Sequence, residues 1–302
     1  MPAISIVIPT LNESEYLPKL LDSIKKQTFT DYEVIVADAG SKDGTVEAAE
    51  KEGALVVAGG MPGVGRNRGA RVANGDIIFF FDADVLLPET FLENAYNEMQ
   101  SKSIDLATCE FWPQSEYRLD KLMFQFSNLI VKLNAAINPR AAGFCIFVTR
   151  RLFRQVGGFD ETLKLAEDHD FVERAAKFRP LKVLESTSMT VSIRRLTKEG
   201  RFSLLEKYFQ VEWHLLTKGK VREDIVEYEF GNFDNEEAQT AKKALDDFEQ
   251  RILKMEEQYN QVLESLNSGA IAEKIEEGKD RLKKGVDDFL ESMKGMFKKK
   301  DD

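Results

Sequence analysis

Short apolar runs alternate with segments of helical periodicity through the first half of the chain. Ile4-Ser-Ile-Val-Ile8 stops at Pro9, and a helix is expected over about 14–26, where Leu17, Leu20, Leu21 and Ile24 recur at helical spacing. Tyr32-Glu-Val-Ile-Val-Ala37 reads as a second strand, followed by a Gly/Ser/Asp turn and a helix over about 45–52. Ala54-Leu-Val-Val-Ala58 is a third strand; Gly-rich residues 59–65 then lead into a helix ending near 73, and Asp76-Ile-Ile-Phe-Phe-Phe81 is a fourth strand. Strands alternating with helices predict an α/β protein with a doubly wound, mostly parallel sheet and flanking helices. Ligands in such sheets bind at the carboxyl ends of the strands, and the polar residues of this chain collect there.

Further along, an apolar-rich helix is expected over about 117–137 and a strand over 141–150, with a turn at Gly157-Gly158-Phe159-Asp160. Residues 180–195 read as a strand pair ending in Arg194-Arg195. The tail differs: Leu245, Phe248, Ile252, Met255, Tyr259, Val262 and Leu266 form an a/d seam, which Asn267-Ser-Gly-Ala270 interrupts. Ile275, Leu282, Val286, Phe289, Met293 and Met296 resume it, with Gly278 in the slot between the first two. The expected organisation is a main domain over 1–198, an amphipathic connecting segment over 199–240 and an α-helical tail over 241–302. The tail is expected as a hairpin or coiled coil that packs on the main domain, on a second copy as a homo-oligomer, or on a membrane surface.

Charge narrows the partners. With 42 Lys+Arg against 52 Asp+Glu the net charge is −10, which argues against nucleic acid, whose phosphates demand a basic face. Cys109 and Cys145 are too few for a disulfide framework and lack zinc-site clustering, so a reducing compartment is expected. The start, Met1-Pro-Ala-Ile, enters a strand without a basic leader. The most apolar stretch, 77–87, is short for a membrane span and carries two carboxylates. The expectation is a cytoplasmic protein, with any membrane contact peripheral and at the inner face. Residues 201–216, rich in aromatics and flanked by Lys and Arg, suit an interfacial helix; their nearly all-round apolarity, with Glu206 and Glu212, favours a helix packed on its own domain.

The strongest local feature is Asp82-Ala-Asp84 at the end of a very apolar strand. Two carboxylates one residue apart do not comfortably ionise there without a cation. Hard divalent ions such as Mg²⁺ or Mn²⁺ take carboxylate together with phosphate oxygens, which fits a bound diphosphate. A capped strand end is the plainer reading of the tripeptide alone. A second cluster, Asp38-Ala-Gly-Ser-Lys-Asp43-Gly-Thr45, puts Asp38 at a strand tip suited to a base or ribose, with Thr10 and Glu13 beside it; turn and cap chemistry accounts for the same residues equally well. Glu167-Asp168-His169-Asp170 crowds three carboxylates, a setting that raises a carboxylate pKa toward the range of a general base. His169 is more simply a flanking polar residue than a metal ligand. Arg194 and Arg195 offer planar guanidinium groups to a diphosphate, or are a solvated strand end.

Taken in order, Ser5-Ile-Val-Ile-Pro-Thr-Leu-Asn-Glu13, Ala37-Asp-Ala-Gly-Ser-Lys-Asp-Gly-Thr45, Gly65-Arg-Asn-Arg-Gly69, Phe81-Asp-Ala-Asp84, Gly157-Gly-Phe-Asp-Glu161 and Glu167-Asp-His-Asp170 resemble a family 2 glycosyltransferase of the GT-A fold, over roughly residues 3–195. The resemblance implies inverting transfer of a sugar from a nucleotide-diphosphate donor, with Mg²⁺ or Mn²⁺ as cofactor. It implies that Pro9, Thr10, Glu13 and Asp38 line the nucleoside pocket, and that Arg66 sits near the base or diphosphate. It further implies that Asp82 lies near ribose and metal, that Asp84 binds the metal, and that Asp168, beside Glu167, is the general base. The acceptor, lipid-linked, glycan or small metabolite, stays open. The chain lacks the Gln-x-x-Arg-Trp motif of processive members.

Three rival readings compete. Gly63-Val-Gly65-Arg-Asn-Arg-Gly69 superficially fits the turn of an NAD(P)-dependent oxidoreductase, but its last glycine is one residue late and it follows the third strand. A nucleotidyltransferase should carry a Gly-rich basic loop after the first strand, where this chain has Pro-Thr-Leu-Asn-Glu. A non-catalytic nucleotide-sugar binder should have lost carboxylates that are intact here.

Overall fold

The computed structural model describes residues 1–194, apart from 138 and 164, together with residues 250, 253, 254 and 257. The chain forms two compact units; the described residues of the first are 1–116 and 130–194, and of the second 117–129 with those four positions. The connecting segment expected over 199–240, the seam of the tail and Arg195 lie outside the described residues.

The first unit is built on an eight-stranded sheet of order β3-β2-β1-β4-β7-β6-β8-β5. Its parallel half comprises β1 (Ile4–Thr10), β2 (Tyr32–Asp38), β3 (Leu55–Ala58) and β4 (Ile77–Phe80). Between them run α1 (Leu17–Lys25), α2 (Thr45–Lys51) and α3 (Pro62–Val72). Parallel neighbours require such crossovers, so the alternation read from the sequence becomes the fold. β7 (Ile146–Thr149) runs antiparallel to β4 and β6, β6 (Leu106–Pro113) is parallel to β8 (Leu181–Val191), and β5 (Val85–Leu86) pairs antiparallel with β8. Three more helices belong to this unit: α4 (Phe91–Ser101), α6 (Arg150–Val156) and α7 (Glu167–Ala176). The helix α5 (Arg118–Ile137) begins in the second unit.

β4 is apolar at every position because both of its faces are covered. Successive side chains point to opposite sides. Phe79 and Phe81 therefore meet Phe147 and Phe91 on one face, with Phe79 and Phe147 4.5 Å apart. Phe80 meets Phe153 and Phe159 on the other, where Phe159 stacks on Phe171 at 4.4 Å. α1 buries the stripe Leu17, Leu20, Leu21 and Ile24, as its spacing predicts.

Two expectations need correction. Residues 180–195 are not a strand pair: a single strand occupies Leu181–Val191. The register against β6 jumps from Cys109↔Leu184 to Glu110↔Ser188, so residues 185–187 bulge out of the ladder. The buried carboxylate of Glu98 on α4 takes over there, accepting the N–H groups of Glu185 at 3.1 Å and Ser186 at 2.9 Å. The strand expected over 141–150 is shorter, because the Cys145 N–H bonds back to the Ala142 carbonyl at 2.9 Å and makes residues 142–145 a turn. β5, β6, α4, α6 and α7 were not anticipated from the pattern.

Candidate active site

Asp38 ends β2 in register with Thr10 at the end of β1. The Thr10 hydroxyl donates to its Oδ1 at 3.0 Å and the Ser41 hydroxyl at 2.5 Å, while the N–H groups of Gly40 and Ser41 donate to Oδ2 at 2.9 and 2.8 Å. Burial pushes the Asp38 pKa up, but these hydrogen bonds outweigh it and the net shift is downward. Gly40, at φ +92°, supplies the left-handed backbone this turn needs. The loop after β1 is stitched to the same turn: Asn12, itself at φ 55°, accepts the Lys42 N–H at 3.0 Å, and the Glu13 N–H reaches the Thr45 hydroxyl at 2.8 Å. Thr10, Glu13 and Asp38 are thus gathered on one ledge, and Pro9 lies behind it against α3.

Asp82 and Asp84 follow β4. Arg66 on α3, 3% exposed, donates from Nη2 to Asp82 at 3.0 Å and from Nη1 to Glu167 at 2.8 Å. The guanidinium lies flush against Gly143, where a Cβ would run into it, and over the Phe159 ring at 5.6 Å. Burial pulls the Arg66 pKa down; the charges of Asp82, Asp168 and Glu167 prevail and the net shift is upward. Its Nε is buried without a hydrogen-bond partner among the described residues.

Glu167 and Asp168 open α7, where the helix dipole favours negative charge. Ala166 before them sits at φ 58°, a strained conformation for alanine that turns the first helical residues into the site. Asp168 accepts the Gly143 N–H at 2.7 Å and the His169 N–H at 2.8 Å. The Glu167 side chain is 13% exposed; burial, then the neighbouring Asp168 charge, raise its pKa against the pull of Arg66. Asp170, by contrast, turns away into an ion pair with Arg174 at 2.6 Å.

Arg194, three residues past β8, forks onto Glu13 at 2.6 and 2.8 Å and reaches Asp84 from Nε at 2.8 Å. Its guanidinium stacks 4.5 Å from the Tyr16 ring. The described residues singled out from the sequence thus gather into two sets of contacts, one around Arg66 and one joining Arg194 to the loop after β1 and the Asp38 turn. Gly143 belongs to the first and Ser41, Asn12 and Tyr16 to the second; Asn12 and Ser41 stood inside quoted motifs, whereas nothing local marked Gly143 or Tyr16. The glycines of 63–69 form no phosphate turn. They lie inside α3, where a Cβ at Gly65 would stand 3.1 Å from Pro9, one at Gly63 would stand 3.2 Å from Glu167, and one at Gly69 would collide with Val7.

The family model described as Glycosyl transferase family 2 matches residues 5–157. The chain belongs to glycosyl transferase family 2. Among its relatives, "Glycosyltransferase AglE" of Haloferax volcanii is 27% identical over 187 residues, covering 58% of this chain and 62% of that protein. "Poly(ribitol-phosphate) beta-N-acetylglucosaminyltransferase TarP" of Staphylococcus aureus is 31% identical over 140 residues, 43% of each chain. The match thus spans about half the length of these relatives. Among solved structures, S. aureus TarS 1-349 in complex with UDP-GlcNAc aligns at TM-score 0.54 and 22% identity, over 74% of this chain and 68% of that one. A mannosyltransferase from Pyrobaculum calidifontis, in complex with GDP-Man and Mn²⁺, aligns at TM-score 0.56 and 22% identity, over 73% and 66%. At that identity the likeness is one of fold, the GT-A type of this family 2 chain. No described helix is long and apolar enough to cross a membrane.

Proposed function

We propose that this family 2 chain transfers a sugar, with inversion, from a nucleotide-diphosphate sugar to an acceptor hydroxyl or phosphate. One observation carries the reading: at the carboxyl edge of the sheet the buried guanidinium of Arg66 joins Asp82, of the Asp-x-Asp past a strand tip, to Glu167, beside Asp168 at the start of α7. Nucleotide sugars bound to proteins of the same fold, UDP-GlcNAc in one and GDP-Man with Mn²⁺ in another, support the donor class.

In this reading Pro9, Thr10, Glu13 and Asp38 form the nucleoside ledge. Asp38 acts chiefly by shaping the turn, since its oxygens already accept four hydrogen bonds. Arg66, its Nη groups spent on Asp82 and Glu167, holds the donor side to the base side. Asp82 and Asp84 fit Mg²⁺ or Mn²⁺ as hard oxygen donors. The described residues hold no cluster of three or more His, Cys, Asp or Glu for a metal, and none is needed by an ion that completes its shell with phosphate and water. When bound, the ion supplies positive charge to the departing diphosphate. Asp168 takes the acceptor's proton, a role worth ~10²–10⁴-fold. Two backbone N–H groups hold its carboxylate in place, while Glu167 beside it is pinned by Arg66.

The test is thermal unfolding with UDP, GDP, CDP and dTDP, each with and without Mn²⁺. A nucleotide at 100 times its Kd adds ~2.7 kcal/mol, which moves the midpoint by several degrees. The expected result is a Mn²⁺-dependent shift with one nucleotide, lost in Asp84→Asn and kept in Asp168→Asn, which loses transfer instead. Full turnover by Asp168→Asn would remove it as the base.

A further inference from the structure

Arg194 occupies the place where a cation is wanted. β5 and β8 pair at Val85↔Val191, and the Ser192 N–H bonds to the Asp84 carbonyl at 3.0 Å, so the chain just past β8 is held beside Asp-x-Asp. From there the guanidinium spends Nη1 and Nη2 on Glu13 and Nε on Asp84. The side chains of Glu13 and Asp84 are only 15% and 11% exposed, so this positive charge balances two sparsely hydrated carboxylates. Burial alone pulls the Arg194 pKa down; Glu13 and Asp84 reverse that and the net shift is upward.

We propose that Arg194 is a specificity-determining residue, which makes the donor site accept a divalent cation only in company with a diphosphate. The proposal rests on the nucleotide-sugar reading above. A free cation approaching Asp84 must displace Arg194 Nε from that carboxylate, leaving a half-buried guanidinium short of a partner. When a diphosphate arrives with the cation, its oxygens replace Asp84 as the guanidinium's acceptor, in the bidentate geometry a planar fork favours. No bond is made or broken in this exchange; one ion pair is traded for another. Because coupling between two ligands is reciprocal, the cation tightens diphosphate binding by the same factor.

The test is Mn²⁺ titration of the full chain, with free aquo-Mn²⁺ followed by electron paramagnetic resonance. Titrations run with and without UDP, GDP, CDP or dTDP, after subtraction of the Mn²⁺–nucleotide complex formed in solution. In the wild type the preferred nucleotide is expected to tighten Mn²⁺ binding by roughly 5- to 150-fold. In Arg194→Ala, and in Arg194→Gln should the alanine variant fold poorly, Mn²⁺ alone binds several-fold tighter and the nucleotide's effect shrinks toward unity. Arg194→Lys, which keeps the charge but not the fork, restores weak binding of free Mn²⁺ and only part of the coupling. Wild-type coupling in Arg194→Ala or Arg194→Gln, or free Mn²⁺ bound no tighter, overturns the proposal while leaving the nucleotide-sugar reading in place. Mn²⁺ binding to the wild type that none of the four nucleotides strengthens overturns both.

Discussion

Replacing Arg66 by methionine removes the one described side-chain cation that joins Asp82 to Glu167 and leaves a hydrophobe of similar reach. Arg66 is 3% exposed and the Glu167 side chain 13% exposed. Taking one partner from a buried ion pair costs about 3–5 kcal/mol, because the other charge is stranded. Here the stranded group can take up a proton. Burial and the Asp168 charge already raise the Glu167 pKa while Arg66 holds it down, so Arg66→Met raises it further. A carboxyl whose pKa is higher in the folded than in the unfolded state contributes stability below its unfolded value. That contribution is lost as pH rises through the folded value. The penalty of Arg66→Met is therefore smaller at pH 5 than at pH 8, and it grows by at most about 1.4 kcal/mol per pH unit while Glu167 titrates. Urea unfolding followed by far-UV circular dichroism at both pH values measures it. Wild type, Arg66→Met, Glu167→Gln and the double variant complete the cycle, and the double variant is expected to recover part of the loss at pH 8. A penalty equal at the two pH values, or one that deepens toward acid, would refute the reasoning.

Gly69→Ala tests the seat of α3 on β1. In an open helix alanine gains about 1 kcal/mol over glycine, but here the new Cβ meets the fully buried Val7, so a loss of about 1–3 kcal/mol is expected from the thermal midpoint. Asp43 is held down to about 2, first by the Thr45 hydroxyl and then, against some burial, by the Ser14 and Thr45 amides. Its contribution to stability is present above the ordinary carboxylate range and lost as pH falls through about 2. Asp43→Asn should accordingly be less stable than wild type at pH 6 and indistinguishable from it near pH 2 by denaturant titration.

The strands of the parallel half and the positions of Asp38, Asp82 and Asp84 were legible because strand and helix periods are local. An apolar run that ends in a carboxylate places that carboxylate at a sheet edge whatever follows. The stripe Leu17, Leu20, Leu21 and Ile24 was legible for the same reason. β6 and β8 were harder: β8 carries exposed positions through its middle, and its continuity depends on Glu98 of α4 bridging the bulge at 185–186. A pattern along one segment does not show that another element will supply the missing hydrogen-bond acceptors.

By itself, then, the sequence determined the alternating α/β order, the buried run of β4 and the family 2 motifs. Each of these rests on residue spacing that any window of the chain carries. Only the tertiary structure decided how the charges are shared. Arg66 meets Glu167 across 101 residues and Arg194 meets Glu13 across 181. The guanidinium groups of Arg66, expected near the base or diphosphate, and of Arg194, expected at the diphosphate, each meet two of the site's own carboxylates. The glycines of 63–69 likewise became packing surfaces on Pro9, Glu167 and Val7. Ion pairing and close approach depend on which strands become neighbours, and that is fixed by the topology of the whole sheet rather than by any stretch of residues within it.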